Sequence, residues 1–149
     1  MTDPVQDLTH DHADLNRRVL VLGARIRAMR ADASSDPLVG QLGELREQLF
    51  LHFAREEEGL FPFVVEAVSD LGEQVTEMEL AHDTICGDLA RMFQLASTAE
   101  PVARIASLFD RFEHAYANHA RAEADLLKTL DARLNAGRRA RLAVLVDGL

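Results

Sequence analysis

Cysteine occurs once in the 149 residues, at Cys86, and tryptophan not at all. A single thiol excludes an intrachain disulfide and any zinc knuckle built on cysteines. Only 8 glycines and 4 prolines are present, too few turn-formers for a many-stranded β fold. No apolar run approaches the roughly 20 residues that a helix needs to span a membrane. Basic residues are also scarce, 16 against 25 acidic ones, and the net charge of −9 disfavours nucleic acid as a partner. The first residues are acidic (Asp3, Asp7, Asp11, Asp14), where a secretory signal would be basic and then apolar. These absences together lead us to expect a soluble, cytoplasmic, single-domain protein without membrane or nucleic-acid partners.

What is abundant is alanine, leucine, glutamate and arginine, the strong helix formers. Asp3-Pro4 and Asp36-Pro37 each read as an N-cap followed by proline at the first helical position. Asp70 with Glu73 three residues later resembles a capping box. Ser97 to Pro101 supplies another break, and Asn135-Ala136-Gly137 closes the last long segment. Pro62, after Gly59, is expected to kink the second helix or end it early.

Between these marks the apolar positions alternate by three and four, the spacing of helices packed on helices. The first series runs Val5, Leu8, position 12, Leu15, Val19, Leu22, Ile26, Met29, and the second Leu38, Leu42, Leu45, Leu49, positions 52 and 56, Leu60. The third is Val75, Met78, position 82, Ile85, Leu89, Met92, Ala96, and the fourth Ile105, Phe109, Phe112, Tyr116, positions 119 and 123, Leu126, Leu130. Short connections between four such helices predict an all-α, antiparallel up-down-up-down four-helix bundle over about residues 4–134. A short fifth helix is expected over about 138–147, with Leu142, Leu145 and Val146 on its apolar side.

The numbered positions are His12, His52, Glu56, His82, His119 and Glu123. Six strongly polar side chains stand where a bundle calls for leucine, and burying them unpaired costs several kcal/mol, so something must satisfy them. Each helix contributes one histidine. His52-Glu56 and His119-Glu123 are spaced so that both members of a pair share a helix face. The four histidines also fall at similar depths along the bundle. Imidazole and carboxylate together suit first-row metals, and two carboxylates can each bridge a pair of ions.

At these residues the chain resembles the hemerythrin-like family, the HHE cation-binding domains. The family pattern of a lone His, an H-x-x-x-E, another lone His and a second H-x-x-x-E appears as His12 in HDHADL, His52 and Glu56 in HFAREEEGLFP, His82 in ELAHDTI, and His119 and Glu123 in HARAE. The resemblance implies a centre of two iron ions, with an oxo or hydroxo bridge, taking O2, peroxide or nitric oxide as its small ligand, or handling iron. On that reading His12 and His52 hold one iron, His82 and His119 the other, and Glu56 and Glu123 bridge them. Where oxygen-carrying hemerythrins have a fifth histidine, four residues after the third-helix one, this chain has Cys86. Their last carboxylate is an Asp five residues after its histidine, whereas Glu123 follows His119 by four. Both departures imply an enzymatic, sensing or repair role over oxygen carriage. Ferritin-like bundles need Glu-x-x-His on two helices, and only Glu79 and His82 fit.

Three flanking residues complete the candidate site. Cys86 lies one turn from His82, Tyr116 one turn before His119, and Glu57 beside Glu56; each can line a ligand pocket or reach behind a metal ligand. Three functional classes compete: a di-iron oxidoreductase acting on peroxide, O2 or nitric oxide; a non-enzymatic iron or O2 storage or sensing protein; and a metal-free structural bundle. No residue identifies an electron donor.

Overall fold

A computed structural model describes residues 3–147. The described residues form six α-helices: α1 (Pro4–Ala28), α2 (Val39–Arg55), α3 (Phe61–Ala67), α4 (Gly72–Ser97), α5 (Val102–Arg133) and α6 (Ala136–Asp147). There is no strand among the described residues, and none of their helices is long and apolar enough to cross a membrane.

The four long helices close a ring in which α1 and α4 each pack against both α2 and α5. The contacts show which helix ends meet. Near the end of α1, Arg25 reaches the carbonyl of Pro37 (3.0 Å) and the side chain of Gln41 (2.8 Å), while Arg55, at the end of α2, reaches back to Asp11 (3.1 Å). Just before α4, Asp70 pairs with Arg133 at the far end of α5, and within α4 Asp88 pairs with Arg111. The two connections at the other end lie side by side, joined by Ser35 N–H to Glu100 C=O and Val102 N–H to Ala33 C=O, both 2.9 Å.

The three-and-four spacing is realised almost without exception. Every position of the four series is buried except Met29, which is partly so. The apolar positions sort into two clusters, one holding Leu15, Leu49, Ile85 and Tyr116, the other Leu8, Leu60, Met78 and Leu126. Between these two clusters, on each long helix, lie the histidines and glutamates that interrupt the series. The bundle is therefore two apolar cores separated by a buried polar layer.

Helix punctuation differs from the sequence expectation in four places. Asp3 does cap α1, accepting from Val5 N–H at 3.0 Å, with Pro4 at the first position. Asp36, however, opens a 3-10 turn (Asp36–Leu38) instead of capping α2, because Leu38 N–H bonds back to Ser35 C=O before the α-helix begins at Val39. Asp70 lies inside a second 3-10 turn, Ser69–Leu71, and its carboxylate goes to Arg133 instead of to the start of α4. Asn135 starts α6 as much as it closes α5: its Oδ1 accepts from Arg138 N–H at 2.8 Å, so α6 begins at Ala136. On α6 the buried side is Leu142, Ala143 and Val146, while Leu145 is exposed.

The fourth difference bears on the site. The second helix neither stops nor breaks at Pro62. Residues Glu56–Leu60 form a π-helical turn, with Phe61 N–H bonded to Glu56 C=O, and α3 follows directly with Pro62 in its first turn. Proline has no N–H to offer, and its ring crowds the carbonyl four residues back; a wider turn accommodates both without ending the helix. Gly59 lets α6 lie close on this turn, since a Cβ there would sit 3.0 Å from the carbonyl oxygen of Leu145.

Candidate metal centre

All six interrupting residues are buried, from Glu56 at 0% exposure to His12 at 8%. α1 delivers His12, α2 His52, the π turn Glu56, α4 His82, and α5 both His119 and Glu123. His52 Nε2 lies 2.8 Å from Glu56 Oε1, and His119 Nε2 3.1 Å from Glu123 Oε2, each pair within one turn. Across helices, His12 Nε2 is 2.8 Å from Glu123 Oε2, His52 Nε2 3.5 Å from Glu123 Oε1, and His82 Nε2 3.1 Å from His119 Nε2. All four imidazoles thus turn Nε2 toward one another.

These atoms fall into two overlapping sets able to hold a cation: His12, His52, Glu56 and Glu123 in one, and Glu56, His82 and His119 in the other. Glu56 belongs to both. Glu123 also faces both sets, touching His12 through the same oxygen that touches His119.

Short distances here do not amount to satisfied hydrogen bonds. His12 Nε2, His52 Nε2, both oxygens of Glu56 and Glu123 Oε1 are buried with no properly directed partner. Such orphaned atoms each cost about 1–3 kcal/mol when nothing meets them. Their lone pairs converge, and a cation of first-row type is what imidazole nitrogens and carboxylate oxygens in this arrangement accommodate. The donor set therefore fits a metal.

Protonation is strongly perturbed. Burial, together with the neighbouring Glu123 charge, pushes the Glu56 carboxyl well above its usual range. Burial would raise Glu123 as well, but the Glu56, His119, His12 and His52 side chains facing it outweigh burial and hold that carboxyl low. One carboxylic acid and one carboxylate thus share the layer, as two close like charges must. At His52, burial is overcome by Asp11, Glu123 and Glu56, and its imidazole is raised to about 11. Burial, then the nearby His119, drives His82 down to about 3, leaving its lone pair free at neutral pH.

The flanking residues separate. Glu57 Oε1 lies 3.0 Å from His82 Nδ1, on the side of the ring away from the cluster. Tyr116 is buried one turn from His119, but its hydroxyl donates to Asn16 Oδ1 at 2.8 Å. Cys86 is half-buried, packs against the first apolar cluster and belongs to neither ligand set; burial and the charges of Glu57 and Asp83 push its thiol up to about 11. Neither residue is directed at the six ligand atoms.

Sequence reasoning missed two contributions. Asp11, seen only as part of an acidic N-terminus, lies 3.8 Å from His52 Nδ1 and is itself held by Arg55. Phe53 stacks on His82 with ring centroids 3.7 Å apart and planes 13° from parallel, and Phe61 lies 5.6 Å away. Asp11 and Phe53 each adjoin a candidate ligand in sequence, but their targets are on other helices, and only the order of helices around the ring supplies that.

Two grooves lead toward the layer from outside. One of about 600 Å3 between α4 and α5 has His119 in its lining; one of about 660 Å3 between α1 and α5 has His12. The family model described as hemerythrin HHE cation binding domain matches residues 3–130. No curated protein and no solved structure matches the chain.

Proposed function

The chain belongs to the hemerythrin HHE cation-binding family, and from that premise we propose that it is a non-haem di-iron protein binding or reducing O2, peroxide or nitric oxide. The observation that carries this reading is the pair of overlapping ligand sets joined by Glu56. His12 and His52 would hold one ion and His82 and His119 the other, with Glu56 and Glu123 shared between them. Bound iron supplies Lewis acidity and one-electron chemistry to a small ligand. The chain's own residues would hold that iron in a buried layer between two apolar cores, and Glu56 and His52 would have to give up their protons to ligate it. The grooves lined by His119 and by His12 both border α5, the side from which a diatomic molecule or peroxide would approach.

The reading extends to the rest of the protein. It takes the chain as one domain, with the four long helices running up-down-up-down, supported by the pairing of Arg25 with Gln41 and of Asp88 with Arg111. It takes the protein as cytoplasmic, with a small-molecule ligand and neither nucleic-acid nor membrane partners, in keeping with its net charge of −9.

Anaerobic titration of the reduced, iron-loaded protein with O2, hydrogen peroxide and nitric oxide, followed optically, tests it. A saturable spectral change with at least one of them is expected, and silence with all three would overturn the assignment. Sustained consumption of peroxide distinguishes an oxidoreductase from a protein that only stores or senses.

A further inference from the structure

The four histidines are alike in turning Nε2 inward, but their outer nitrogens are not treated alike. His82 Nδ1 meets a carboxylate at hydrogen-bond distance, Glu57 Oε1 at 3.0 Å. His52 Nδ1 has Asp11 at 3.8 Å, beyond a hydrogen bond, and that carboxylate is engaged by Arg55 at 3.1 Å. His119 Nδ1 is buried with no partner. His82 is also the imidazole stacked flat on Phe53.

The π turn explains why one histidine is singled out. Glu56 and Glu57 are consecutive on it, and they address opposite edges of the same ring: Glu56 Oε1 is 3.7 Å from His82 Nε2, Glu57 Oε1 3.0 Å from Nδ1. An ionised carboxylate only accepts, so the His82 Nδ1 must carry the hydrogen. The Nε2 lone pair is then fixed toward His119 and Glu56. A carboxylate behind an imidazole ligand sets its tautomer and ring orientation and raises its basicity. No carboxylate at hydrogen-bond distance does this for His52.

We propose that Glu57 is a positioning residue for one of the two metal positions only, the one formed by His82, His119 and Glu56. This rests on the two-metal reading above. It adds that the two positions are inequivalent, and that the π turn which supplies a carboxylate shared by both ligand sets also orients the histidine of one.

Titration of the metal-free protein with Co2+, in competition with a chromophoric chelator, tests it. The unmodified protein should take up two ions. Glu57→Ala should weaken one of them by about 10–100-fold and leave the other unchanged. Glu57→Gln, whose amide oxygen still accepts from Nδ1, should recover part of the loss. A metal-free readout accompanies this: long-range 1H–15N correlations should show His82 as the Nδ1–H tautomer in the unmodified protein and the Gln variant, and as a mixture in the Ala variant. Unchanged affinities in Glu57→Ala, or equal weakening of both positions, would overturn the proposal while leaving the metal centre intact. Uptake of fewer than two ions by the unmodified protein would overturn the two-metal reading and this proposal with it.

Discussion

His12 Nε2 lies 2.8 Å from Glu123 Oε2, joining the first long helix to the last across 111 residues of sequence. Glu123 also lies 3.1 Å from His119 and 3.5 Å from His52, so one ionised carboxylate faces three histidines. Glu56, buried as deeply, carries the proton of the pair.

That division predicts unequal effects of two similar substitutions. Without metal, Glu56→Gln replaces a neutral acid by a neutral amide of the same shape and should change stability little. Glu123→Gln removes the charge that three histidines face, and should cost about 3–5 kcal/mol, the scale for breaking a buried ion pair. Urea unfolding in the presence of a chelator measures both. Equal losses would mean that the proton is not partitioned as described. Either variant should lose most of its metal.

The same groups set the pH dependence of the metal-free protein. His52 is raised from 6.5 to about 11, so the folded state binds the extra proton in that window and stability falls as pH rises through it. His82 is lowered from 6.5 to about 3, so the unfolded state binds the extra proton there and stability falls as pH drops through that range. Thermal stability with chelator present should therefore be greatest near neutrality and decline on both sides. Metal uptake at neutral pH should release protons, because ligands must be deprotonated, and affinity should rise with pH. A flat melting temperature from pH 6.5 to about 10 would contradict the His52 environment.

Tyr116 separates structural from ligand-directed roles. Its hydroxyl is committed to Asn16, so Tyr116→Phe should cost about 0.5–1.5 kcal/mol, one hydrogen bond, and leave metal content and metal spectra unaltered. A shifted metal spectrum would show that the hydroxyl turns toward the centre.

Much of this was legible in the sequence, for a physical reason. A buried helix face repeats every three or four residues, so His12, His52, Glu56, His82, His119 and Glu123 announce themselves by occupying positions that otherwise hold leucine. What was not legible depends on neighbours in space. Asp11 and Phe53 act on histidines of other helices, and the buried Asp88 finds its partner, Arg111, on α5. The π turn follows from Pro62 and Gly59 together with the packing of α6, whereas proline alone predicted a kink or an early end to the helix.

Asp88 and Arg111 give a test away from the centre. Arg111→Ala should uncover the Asp88 carboxylate that it pairs with and lower stability in urea unfolding while metal content stays the same.

Gly59 gives the opposite case. The Cβ in Gly59→Ala would sit 3.0 Å from the Leu145 carbonyl oxygen, so α6 or the π turn must give by a few tenths of an ångström, and stability should fall. Because Glu56 and Glu57 ride on that turn, metal occupancy should fall as well. Full occupancy with lowered stability would place the whole adjustment in α6.

The central claim is a two-iron centre in the polar layer, and the most direct measurement is the metal content of the protein isolated from iron-replete cells, together with its near-ultraviolet absorption. About two irons per chain with charge-transfer absorption are expected, and both should be lost on replacing Glu56. Stoichiometric zinc without iron, or iron retained unchanged in Glu56→Ala, would contradict it.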